Sequence, residues 1–159
     1  MSLTMSRGLA DASRWAGVAS ATSDYIEHWL VSNKDSRPAP PRGIFNAAER
    51  FLNRVLEGIA LEHRQAAQTP VPTMAGISNL TIAVDVFAAM PGTQLHKLED
   101  LEKTVQSYLE CLRAIPKNKP RKTISPERVE SLRDFFRELQ RQGNVAHHAA
   151  ITESEFPLP

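Results

Sequence analysis

Large apolar residues return every three or four positions in five stretches of this chain, and this spacing is typical of helices with one buried side. Proline-rich segments such as residues 37–41 separate the stretches, because proline lacks the N–H group that a helix needs and restricts the residue before it. The pattern predicts an all-α fold, a five-helix bundle with short or proline-rich connections. The predicted helices span residues 9–31, 42–67, 73–90, 94–115 and 126–142, and residues 144–159 form a C-terminal tail.

The third stretch, residues 73–90, differs from the others because small or apolar residues surround it on nearly every side. A helix that is apolar all round is typical of a central position, so we expect this helix to lie in the middle of the bundle. Alternating β-branched residues between Leu80 and Val86 also permit a strand. No second strand is indicated elsewhere, which favours the helix. Asp85 is expected to mark a polar edge of it, paired with an arginine, and the alternative is a buried Asp85 that marks a site.

The fifth helix has clear signals at both predicted ends. Ser125 is a favourable N-cap, and Pro126 suits the first helical position, where its missing N–H costs nothing. Gly143 is a typical residue just past a helix C-terminus. We therefore expect the helix to stop at residue 142. For the fourth helix, Thr93 is the expected cap.

Length and charge set the broad class. The 159 residues suit one domain with its own core, so residues 1–159 are predicted to be a single helical domain. The formal net charge of +1 gives no overall field toward nucleic acid, so such binding must be local. A lone cysteine, Cys111, excludes an internal disulfide and fits a reducing compartment. The predicted location is therefore the cytoplasm.

The longest uncharged stretch, residues 65–84, does not predict a membrane span. It contains Pro70, Pro72 and several amide and hydroxyl side chains, whose polar groups would have no partner in hydrocarbon. The sequence therefore predicts no membrane partner.

One short string resembles a known catalytic motif. Arg141, Asn144 and His147, in the run from Arg141 to His148, are similar to the Arg-x(4–6)-His motif of the HEPN family, helical bundles that often act as metal-independent ribonucleases. The resemblance implies that Arg141 holds an RNA phosphate and that His147 moves a proton, often across a dimer. The alternative is that Gly143 and Asn144 form only a helix C-terminal turn.

A basic group lies around the predicted connection between the fourth and fifth helices, and clustered cations of this kind contact phosphates of nucleic acid. No aromatic residues alternate with them to stack on bases, so a solvated loop is the favoured alternative. The group comprises Arg113, Lys117, Lys119, Arg121, Lys122 and Arg128.

Three aromatic residues of the first helix, Trp15, Tyr25 and Trp29, are candidates for a partner-binding patch, because a proline-rich linker separates this helix from the rest. They are equally suited to anchor the core. The adjacent His147 and His148 lack a metal-ligand spacing, so no metal site and no cofactor are predicted.

Taken together, these features favour a non-enzymatic helical interaction, scaffold or adaptor subunit. It is expected to bind a protein partner or to self-associate through amphipathic helices. Two alternatives stay open. One is an accessory nucleic-acid-binding subunit that uses residues 113–128, and the other is a HEPN-like ribonuclease.

Overall fold

The computed structural model of the protein describes five helices and no strand within its described residues. It describes the backbone of residues 7–31, 42–65, 74–90, 97–115 and 125–155, and the side chains of residues 13–31, 43–62, 78–90, 97–115 and 125–145. The all-α prediction is confirmed, and the strand alternative for the third element is wrong. The helices are α1 (Arg7–Val31), α2 (Arg42–Gln65), α3 (Met74–Ala89), α4 (Leu98–Ala114) and α5 (Pro126–Glu155).

The predicted start of α5 is confirmed. The Ser125 hydroxyl accepts a hydrogen bond from the backbone N–H of Arg128 at 3.3 Å, as an N-cap does. The predicted end at residue 142 is wrong, because the helix continues through Gly143 to Glu155. A glycine inside a helix costs about 1 kcal/mol, which is a weak stop signal. Packing of α5 against α1 opposes this cost, and the expected tail is largely helix.

Helix α4 begins later than expected. Its N-cap is Lys97, whose backbone is extended and whose side chain makes no capping hydrogen bond, and the first helical residue is Leu98. Thr93, the expected cap, lies outside the described residues. The acidic Glu99 and Asp100 occupy the first turn, where the positive end of the helix dipole favours them.

An aromatic cluster joins α2, α3, α4 and α5 at the centre of the core. The ring of Phe135 on α5 lies 5.0 Å from Phe87, 5.4 Å from Tyr108, 5.3 Å from Phe136 and 6.2 Å from Phe51, measured between ring centroids. These tilted and edge-to-face contacts add to the burial of apolar surface. Phe135 on α5 therefore contacts an aromatic ring from each of α2, α3 and α4.

Helices α1 and α5 run antiparallel and share the most extensive helix contact of the described structure. Glu27, near the end of α1, binds Arg133, near the start of α5. The N-terminal helix is thus part of the bundle rather than a separate arm.

Helix α3 packs on α1, α2 and α5, as expected of an inner helix, but it is not covered on all sides. Thr81, Val84, Asp85, Ala88 and Ala89 are exposed, and they repeat at three- and four-residue steps along one side. The helix is therefore only partly enclosed, which corrects the expectation that it lies in the middle of the bundle. The described neighbours cover the side that includes Ile82 and Val86, and they leave the opposite side in solvent.

Candidate interaction site

The predicted partner-binding patch on α1 does not form. Trp15, Tyr25 and Trp29 are all buried in the core. Trp15 packs edge-to-face on Phe51 and Tyr25 on Phe45, so both rings contact α2 instead of solvent. The prediction of an exposed patch is corrected, because the linker between α1 and α2 does not keep α1 away from the bundle.

The described members of the basic group are already paired with acids. The Arg128 guanidinium binds the Glu110 carboxylate at 2.9 Å and the Ser107 hydroxyl at 2.8 Å, which ties α5 to α4. Arg113 lies 3.8 Å from Glu49 on α2. Lys117, Lys119, Arg121 and Lys122 lie outside the described residues. The two described arginines therefore take part in contacts between helices of the bundle.

The residues that resemble the HEPN motif lie on one continuous helix. Arg141 and Asn144 are exposed on α5, so the predicted turn at Gly143 and Asn144 is absent. His147 belongs to the same helix, and its side chain lies outside the described ones. The Arg141 guanidinium binds Glu138, one turn earlier, with a shortest N–O distance of 2.6 Å. Arg141 is thus held on its own helix by a carboxylate.

Other chemical features are few within the described residues. No cluster of His, Cys, Asp and Glu there is arranged to hold a metal ion. No helix among them combines the length and the apolar character that crossing a bilayer requires. Cys111 is buried, and this burial raises the pKa of its thiol although the charge of Arg128 acts the other way. A raised pKa disfavours the reactive thiolate.

One surface combines exposed residues of α3 with the neighbouring part of α5. Three large hydrophobic residues are exposed among the described ones: Val31 at 72%, Val84 at 47% and Val145 at 53%. Two of these, Val84 and Val145, are neighbours along their helices of Asp85 and Gln142, through which α3 and α5 contact each other. We call this surface the α3–α5 face. It consists of Thr81, Val84, Asp85 and Ala88 on α3 and of Gln142 and Val145 on α5.

A hydrogen bond fixes the relative position of the two helices at this face. The Gln142 side-chain amide donates to the backbone carbonyl of Asp85 at 3.2 Å and to the Glu138 carboxylate at 3.1 Å. Val84 directly precedes Asp85, and Val145 lies one turn beyond Gln142. One exposed valine therefore lies close in the helix to each end of this hydrogen bond.

The charges at the face are one acid on α3 and an ion pair on α5. Asp85 is the only charged residue of α3, and no described residue forms an ion pair with it, so the expected arginine partner is not found among them. On α5, burial tends to raise the pKa of Glu138, but hydrogen bonds from Arg141 and Gln142 together with the charge of Arg141 lower it overall. Glu138 therefore stays ionised and keeps Arg141 in place at the border of the face.

Sequence reasoning did not find this face. A helix with apolar residues on all sides gives no indication of which side its neighbours leave open. One signal was present: Asp85, the lone charge of α3, lies on the exposed side, as expected for a charge without a partner. Val145 was missed because α5 was expected to end before it.

The fold and this face define the chain as an all-α helical bundle with an exposed helix face of low charge. No known protein family matches the sequence, and neither a curated protein nor a solved structure matches it.

Proposed function

We propose that this protein is a helical interaction subunit that binds a protein partner through the α3–α5 face. The observation that supports this function is the exposure of Val84 and Val145 beside small or uncharged neighbours on two helices that a hydrogen bond holds in place. Exposed apolar surface on a folded bundle is costly in water, and covering it with a partner is favourable.

The composition of the face agrees with this role. Helix α3 has one charge in its 16 residues, whereas the exposed side of α2 includes Arg50 and Glu57. Charged residues are depleted at the centre of protein interfaces because removing them from water costs free energy. Ala88 on α3 also allows close approach of a partner helix, since its side chain is small.

Substitution of single exposed valines tests the proposal. The full chain is isolated under mild conditions from the cells that express it, in its native form, as Val84→Arg and as Val31→Arg. Val31 is the matched control, because it is the most exposed of the three valines and lies outside the face, at the end of α1. Bound proteins, including further copies of the chain, are quantified by mass spectrometry and by light scattering.

We expect Val84→Arg to remove a protein that stays bound to the native chain and to Val31→Arg. A buried arginine without a partner costs several kcal/mol at an interface, whereas one in solvent costs little. The same set of bound proteins in all three samples, or the absence of any, contradicts the proposed function.

A further inference from the structure

We draw no further inference here: the strongest candidate, the groove between the last turn of α1 and the first turns of α5 that is lined by Val31, Val129 and Glu130, carries none because nothing in the structure shows what covers it.

Discussion

The Glu27 carboxylate near the end of α1 accepts a hydrogen bond from the Arg133 guanidinium of α5 at 2.7 Å, across 106 positions of the chain. The same carboxylate oxygen lies 3.3 Å from a guanidinium nitrogen of Arg137. One acid thus joins two turns of α5 to α1. The Arg133 side chain is 20% exposed and the Glu27 side chain 39%, so the pair is only partly shielded from solvent.

Substituting Glu27 tests this link. Glu27→Gln should lower the free energy of unfolding by about 1 kcal/mol, since partly exposed ion pairs contribute up to about that amount. Urea denaturation of the native chain and the variant provides the measurement. Asp24→Asn is the matched control on the same helix, because Asp24 is exposed and forms no ion pair with a described residue. An equal loss of unfolding free energy in both variants argues against a stabilising link between Glu27 and α5.

Trp15 should contribute strongly to stability, because its ring packs on Phe51 with centroids 5.1 Å apart and lies under the Arg54 guanidinium. We expect Trp15→Ala to lower the free energy of unfolding by about 3–5 kcal/mol through lost burial and a new cavity. Val31→Ala, at an exposed site, should change it by less than about 0.5 kcal/mol. Similar denaturation midpoints for the two variants contradict a core role for Trp15.

Two threonines, one buried and one half-buried, give a paired test of hydroxyl groups. The Thr22 hydroxyl is buried and has no hydrogen-bond partner among the described residues, whereas the Thr104 hydroxyl donates to the backbone carbonyl of Asp100 at 2.9 Å. Thr22→Val should raise the free energy of unfolding by about 1 kcal/mol, because an unpaired buried group is removed. Thr104→Val should lower it by about the same amount, because a hydrogen bond is lost. If both substitutions change the free energy of unfolding in the same direction, the unpaired state of Thr22 or the hydrogen bond of Thr104 is contradicted.

Alkaline pH should weaken the fold through Tyr108. Burial raises the pKa of its phenol from 10.0 to about 12, although the hydrogen bond with Ser131 acts in the opposite direction. The folded state thus favours the neutral phenol, so its contribution to stability is constant below pH 10 and is lost between pH 10 and 12. The loss is roughly 3 kcal/mol over these two pH units.

Denaturation of the native chain and of Tyr108→Phe at several alkaline pH values measures this contribution. The variant lacks the Tyr108 phenol, so its stability should decline less steeply between pH 10 and 12. Parallel declines show that other groups cause the loss.

The sequence predicts all five helices because their apolar spacing depends only on which residues face a core. It does not predict the end of α5, since Gly143 is a local signal and the packing along α1 involves distant residues. It also does not predict the α3–α5 face. The open side of α3 depends on how many helices surround it, which the local spacing of Val84 and Asp85 does not encode.

The antiparallel pairing of α1 with α5 has a consequence for protein synthesis. During translation α1 leaves the ribosome well before α5, which covers α1 most extensively and is the last of the five helices to be made. Closing this contact requires joining distant parts of the chain, which slows folding relative to contacts between neighbouring helices. The apolar side of α1 thus stays accessible to chaperones during translation, and premature termination before α5 leaves it permanently exposed to aggregation.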